Sequence, residues 1–287
     1  MPKVVYERKG SIFYITINRP EVRNAVDWET STLITEAYRT FRDDDEALVS
    51  IITGAGDEAF CAGADLKALA SGEPGVRPSL STDVDKARTY LYTSLETHTR
   101  CGIGYTKAVD VFKPTIAAIN GWCVAGGLEI ATWCDIRIAA EHAKFAVLNR
   151  RFNVPLVDGG TVRLPLIIGL GRALEMIITG RIIDAQEALQ FGLANEVVPK
   201  DKLMERATEL AEQICEFPQG CIRTDKESVL RSYGHTLREA YLIEAELGAL
   251  TQLRNVTSEI GAAAFAEGKV GRHGQRTTKK EWKRRGL

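Results

Sequence analysis

The chain has 287 residues, 45% hydrophobic and 26% charged, with 37 Lys and Arg against 38 Asp and Glu, enough apolar material for one large domain or for one domain with an appendage. No apolar run approaches the roughly 20 residues of a membrane helix, and the N-terminus enters a strand pattern without a signal-peptide core, so an intracellular, cytoplasmic protein is expected. The near-zero net charge hides one asymmetry: the stretch from Lys269 to the end holds eight Lys and Arg against a single acid, Glu281.

"IFYITIN" from Ile12 and "ALVSIITG" from Ala47 are β-rich runs separated by a helical pattern from about Val26 to Phe41, a β-α-β start. In "AFCAGADLKALA" a glycine turn feeds a short helix, and "SGEPGVRPSLS" reads as an exposed loop. A helix from about Val84 to Gly102 precedes "KPTIAAING", a strand closed by Asn120 and Gly121. Small residues and a glycine pair then lead into "LEIATWCD", followed by the short strands "DIRIAA" and "AKFAVL" and the turn "PLVDGGTVRL". Beyond it the pattern is helical. "DAQEALQFG" has the form of a capping box, with Asp184 as N-cap, Glu187 three residues on and Gly192 as terminator. "DKLMERATELAEQICEF" and "LREAYLIEAELGALTQL" carry apolar residues at i, i+3 and i+4 and are expected to be amphipathic helices.

Several chemistries are set aside. The cysteines (Cys61, Cys101, Cys123, Cys134, Cys215, Cys221) form no CxxC pair and have no histidine at ligand spacing, which argues against zinc and against a disulfide framework and leaves buried thiols as the expectation. "GLGRAL" has two of the three glycines of a dinucleotide fingerprint and reads as a helix entry. The four histidines lie in polar surroundings without a serine or cysteine partner, as surface residues do.

One acid does not fit its surroundings. Glu129 follows Gly126 and Gly127 inside the apolar stretch "CVAGGLEIATWCD". If the glycine pair opens a helix, its first N–H groups lack intrahelical partners and point, with the positive end of the dipole, at whatever lies in front. "CAGADL" has the same grammar, and two such ends, converging, would supply two N–H donors to one oxygen, an oxyanion hole. A carboxylate beside it could transfer a proton at the carbon next to a carbonyl. Equally, Glu129 could be an ion-paired core residue, with the glycines serving only close helix packing.

"NRPEVRNAV", "AFCAGADLKAL", "KPTIAAINGWCVAGGLEIATWCDIRIAA" and "AQEALQFGLANEVVP" occur in the order in which the enoyl-CoA hydratase/isomerase (crotonase) family carries such motifs, and together the chain resembles that family over about residues 3 to 265. The resemblance implies an α/β fold: a spiral of ββα units over residues 1–200, a helical C-terminal region over 201–268 that builds homotrimers or homohexamers, and a basic tail over 269–287. It implies acyl-CoA thioesters as substrates, with no cofactor beyond the CoA that the substrate carries. It further implies that the thioester oxygen is held by N–H groups at Ala64 and Gly126, and that Arg23, with the backbone of Ala62, Asp65 and Leu66, lies along the CoA moiety; Arg23 could equally be a solvated loop charge.

Glu129 matches the first of the two glutamates that hydratases of this family use. The second falls at Asn149 or, shifted by one, Arg150, and neither can act as a base. Asp158, in "VDGGT", matches the place where dienoyl-CoA isomerases and a thioester dehalogenase carry a working aspartate, against the plainer reading of an aspartate capping its own turn. Glu129 and Asp158 are therefore the expected catalytic pair, for hydration or isomerisation. Arg150 and Arg151 hint at a polar or carboxylated acyl group, or are a solvated pair. Two other classes stay open: a weakly catalytic member acting as a binding subunit, which the missing glutamate favours, and an RNA-binding member, for which the basic tail is the sole support.

Overall fold

The computed structural model describes residues 1–71, 106, 110–255, 262–263 and 265–266. The expected helix at 84–102, nearly all of the "SGEPGVRPSLS" loop and the basic tail lie outside the described residues.

Two sheets organise the chain. The first has six strands, β1 (Val4–Lys9), β2 (Ile12–Ile17), β3 (Val49–Gly54), β5 (Thr115–Ile119), β7 (Ile136–Ala140) and β10 (Glu196–Val198), adjacent in that order. Apart from the β1–β2 hairpin, its pairs are parallel. The second sheet takes the short strands β4 (Ala59–Cys61), β6 (Trp122–Val124), β8 (Lys144–Ala146) and β9 (Ile183–Asp184). Each long strand of the series β3, β5, β7 is thus followed by a short one in the other sheet, and the chain then turns back. That alternation is a spiral of ββ units closed by helices, as the resemblance implied. Long strands buried on both faces, such as "TIAAI" in β5, lack polar alternation because both sides face apolar layers.

The helices are α1 (Trp28–Asp43), α2 (Leu66–Ser71), α3 (Gly126–Trp133), α4 (Gly160–Ile168), α5 (Leu170–Thr179), α6 (Ala185–Phe191), α7 (Leu203–Cys215), α8 (Gln219–Ser232) and α9 (Leu237–Asn255) among the described residues. A large core joins the inner face of the first sheet to α1, α3 and the second sheet through Ile15, Phe41, Phe60, Ile119 and Phe145, all fully buried. A smaller one lies beneath α7, where Ala207 and Ala211 meet Ile51, Ile116 and Ile138. The helix α7 therefore packs with the sheet, whereas α8 and α9 pack on each other.

Three expectations need correction. α9 is not one-sided: Leu237, Tyr241, Leu242 and Leu253 are all exposed, and among the described residues it packs chiefly on α8. The capping box of α6 is half formed. Asp184 accepts from the Glu187 N–H at 2.9 Å and Gly192 ends the helix at φ 77°, but the Glu187 carboxylate turns to Arg181 at 2.6 Å. Among the described thiols, Cys61, Cys123, Cys134 and Cys215 are buried, but Cys221 is exposed near the start of α8.

Candidate active site

The site forms where two parallel short strands end side by side. β4 and β6 pair with Cys61 opposite Cys123, and each then turns into a helix, α2 or α3. Glycines let the two turns touch. Gly63 lies at φ 88°, and a Cβ there would stand 2.7 Å from both the Ala125 Cβ and the Gly126 nitrogen; a Cβ on Gly127 would stand 2.1 Å from the Cys61 carbonyl oxygen. Ala125, the N-cap of α3, adopts φ 54° and ψ −125°, the first central position of a type II′ turn, which glycine ordinarily fills. Such a conformation persists where its surroundings over-determine it; here the Ala125 N–H is held by the Ala146 carbonyl at 3.0 Å and Gly63 packs on its methyl group.

The other turn is fixed from the opposite side. Val26 donates to the Gly63 carbonyl at 2.8 Å and accepts from the Asp65 N–H at 2.9 Å, so Ala64 is bracketed. Among the described residues neither the Ala64 nor the Gly126 N–H donates to a backbone carbonyl, and at Gly126 the first turn of α3 supplies no acceptor. Asp65 Oδ1 accepts from the N–H groups of Lys67 and Ala68, which caps α2, and its Oδ2 binds Arg19 at 2.9 Å. Arg19 also donates to the Ala25 carbonyl at 2.5 Å, and Asn24, fully buried, ties this loop to the carbonyls of Ala55 and Ala59.

Glu129 lies one turn into α3 and is 2% exposed. Its Oε1 accepts from two backbone N–H groups, those of Asp158 and Gly160, each at 2.8 Å. Gly160 permits this: a Cβ there would stand 2.9 Å from the Glu129 Cγ and Oε1. Asp158 is 4% exposed, and its carbonyl accepts from Arg163 at 3.0 Å, with Arg163 also reaching the Thr106 carbonyl. The "VDGGT" turn is thus built around the Glu129 carboxylate. The Cys61 thiol behind the turns is pushed up to about 12 by burial and stays protonated.

All eight residues singled out by sequence line one cavity of about 690 Å³: Glu129, Asp158, Ala64, Gly126, Arg23, Ala62, Asp65 and Leu66. Its polar mouth includes Glu21, Glu58 and Lys67, with Arg23 bound to Glu58 at 2.6 Å, and its other end is walled by Leu148, Phe152, Val154, Pro155 and Val157. Asn149 also lines it; Arg150 and Arg151 do not. Both arginines are exposed and Arg150 turns to the Val154 carbonyl, as a solvated pair does. Neither described histidine, His142 nor His235, lines the cavity. Sequence reasoning missed Arg19, Asn24, Gly63 and Gly160 as the residues that brace the site, since their partners lie far along the chain.

The profile of the enoyl-CoA hydratase/isomerase family matches residues 7–276. The chain belongs to this family. As a family member it is an acyl-CoA-processing enzyme. It is 38% identical over 234 residues to carnitinyl-CoA dehydratase from Salmonella typhi, a match that covers 82% of each chain. Among solved structures it is similar to an enoyl-CoA hydratase from Mycobacterium marinum, with a TM-score of 0.81, 30% identity and coverage of 95% of this chain and 98% of the other. An enoyl-CoA hydratase from Mycobacterium tuberculosis H37Rv gives a TM-score of 0.81 at 31% identity, with the same coverages. Among the described residues, no helix of this family member is long and apolar enough to cross a membrane.

Proposed function

We propose that the cavity holds an acyl-CoA thioester with its carbonyl oxygen against the N–H groups of Ala64 and Gly126, and that Glu129 and Asp158 move protons at the acyl carbons next to it. The observation that carries this reading is the placement of Glu129. A buried carboxylate is costly unless bonded, and this one is held by two backbone N–H groups on the wall of the cavity that Ala64, Gly126 and Asp158 also line. Held by these two donors on the cavity wall, Glu129 suits the role of base or orienting anion. Asp158, beside it in the same wall, suits the complementary acid. The pre-oriented N–H pair stabilises the enolate oxygen as charge leaves the α-carbon, without rearranging at the moment of reaction.

The CoA portion is assigned to the polar mouth near Arg23, Ala62, Asp65 and Leu66, and the acyl chain to the apolar end. The relatives named as dehydratase and hydratase support water addition or loss as the chemistry. Glu129→Gln tests the reading because it keeps an oxygen for the two N–H donors and removes the proton acceptor. Turnover of enoyl-CoA or 3-hydroxyacyl-CoA is expected to fall about 10²- to 10⁴-fold, while butyryl-CoA affinity, read by calorimetry, holds. Unchanged turnover removes Glu129 from the chemistry.

A further inference from the structure

We infer that Ala125 is a positioning residue: it holds a backbone conformation that glycine would hold without strain, and its methyl group, set against Gly63, fixes the separation of the Ala64 and Gly126 N–H groups assigned to the thioester oxygen. The inference rests on the acyl-CoA reading above and deepens it.

Ala125 joins β6 to α3 on the wall of the cavity, at φ 54° and ψ −125°. Arg23 and Asn153 also have positive φ, but at ψ 38° and 35° they occupy the left-handed well that other residues visit. Ala125 does not. Its conformation belongs to glycine, and a Cβ held there costs folding stability. The backbone bonds of the turn do not require that Cβ. The Ala125 N–H donates to the Ala146 carbonyl at 3.0 Å, and the Ala125 carbonyl accepts from Leu128 at 3.0 Å and Glu129 at 3.3 Å. Glycine would make all of these bonds.

The methyl group stands between the two turns. Gly63 and Ala125 directly precede Ala64 and Gly126, and they pack on each other: a Cβ built on Gly63 would fall 2.7 Å from the Ala125 Cβ and 2.7 Å from the Gly126 nitrogen. The spacing is thus set one residue before each donor. On the other side the Gly63 carbonyl accepts from Val26 at 2.8 Å and the Asp65 N–H donates to Val26 at 2.9 Å, so Gly63 is a braced surface for the methyl group to rest on. Glycine at 125 would present no side chain to that surface, and its wider range of φ and ψ would let the Gly126 N–H swing. Two donors act on an oxyanion by standing in place before the charge develops. A strained residue that keeps them there trades stability for turnover.

The test compares the full wild-type chain with Ala125→Gly, using butyryl-CoA and acetoacetyl-CoA as probes. Acetoacetyl-CoA is a 3-oxo thioester whose enolate absorbs in the near ultraviolet, so the apparent pKa of the bound ligand reads how well the two donors hold the enolate oxygen. That pKa is expected to lie lower on the wild-type protein than in free solution. On Ala125→Gly it is expected to lie about one unit above the wild-type value, a tenfold loss, smaller than the roughly 10²- to 10³-fold cost of removing a donor outright. Tm is expected to rise by about 2–4 °C, because relief of strain outweighs the freedom that glycine adds to the unfolded chain. Butyryl-CoA affinity, read by calorimetry, is expected to hold. A firmer fold with a poorer enolate is the signature, since a methyl group that served packing alone would lower Tm when removed. An enolate pKa that Ala125→Gly leaves unchanged overturns the inference, and so does a Tm that fails to rise. If butyryl-CoA does not bind wild type, the acyl-CoA reading falls and takes this inference with it; if it binds but acetoacetyl-CoA keeps its free-solution pKa there, the pair of N–H donors falls instead, and the inference with them.

Discussion

Gly160 shows how closely the chemistry depends on a residue that carries none. Its N–H donates to Glu129 Oε1 at 2.8 Å, and a methyl group on its Cα would press on the same carboxylate at 2.9 Å and on the Leu156 Cδ1 at 3.1 Å. Gly160→Ala is therefore expected to shift the carboxylate from its two donors and to lower turnover by about 10²-fold, the scale that a misplacement of about 1 Å can reach. Butyryl-CoA affinity should stay near wild type, since the mouth of the cavity lies elsewhere. Steady-state kinetics beside calorimetry checks this, and an active Gly160→Ala enzyme removes the turn from the site. Glu129 itself was legible, because an acid in an apolar run behind two glycines calls for a reason. Asp158, 29 residues further on, was singled out only through the family resemblance, and Gly160, 31 residues on, was not seen at all, since a glycine in "VDGG" looks like ordinary turn chemistry until the carboxylate is seen against it. Of the two readings of Arg150 and Arg151, their exposure fits the solvated pair. The tight 3-10 turn that presents Asn149 to the cavity sends both neighbours to solvent.

The longer elements were readable where one layer of packing set the period. β2, β3, β5 and α1 fall within a few residues of their expected bounds because the main core covers each of them. β1 was missed: as an edge strand with one buried residue of six it shows no periodic burial. β4, β6, β9 and β10 are two or three residues long, too short to carry a period. The loop before α1 shows what local pattern leaves out. Asp27 caps the helix through the Thr30 N–H at 2.8 Å and also binds Lys3 at 2.6 Å and Arg19 at 3.2 Å, so one carboxylate joins the N-terminal strand, the Arg19 loop and the helix. Burial opposes its charge, but the Lys3 ammonium, the Thr30 N–H and hydroxyl and the Arg19 guanidinium outweigh that and hold its carboxyl below the usual range. A carboxyl lowered on folding adds stability that is complete above its ordinary pKa and is lost as pH falls through the folded value. Asp27→Ala is expected to cost about 1–2 kcal/mol at pH 7, as for a lost cap, with the gap to wild type narrowing in acid. Urea unfolding at pH 7 and near pH 3 checks both parts; a gap that widens in acid would contradict the linkage.

At the scale of the whole molecule, the main core carries three buried thiols, Cys61, Cys123 and Cys134, and the entry to the interior strand β5 carries a buried amine. Lys113, just before β5, donates to the Phe41 and Asp44 carbonyls and so ties the C-terminal end of α1 to the sheet. These groups set opposing alkaline responses. Burial pushes the thiols of Cys61 and Cys134 up to about 12 and raises that of Cys123 as well, so the unfolded chain ionises them first and stability is lost as pH climbs past the ordinary thiol value. Burial and the nearby Arg223 lower Lys113 to about 8, which makes stability rise between about 8 and the ordinary lysine value near 10.5. Near pH 10 the three buried thiols keep protons that the unfolded chain has lost, while Lys113 has lost one that the unfolded chain keeps. The thiols outnumber the amine, and unfolding free energy is expected to fall as pH rises there. Urea unfolding at pH 7, 9, 9.5 and 10 gives the slope. Cys134→Ala should make it shallower by about one proton's worth, and Lys113→Met should make it steeper by about the same. A flat or rising profile above pH 9 would show that the three thiols ionise as readily in the fold as in the open chain, and that the core around β4 and β6 admits water.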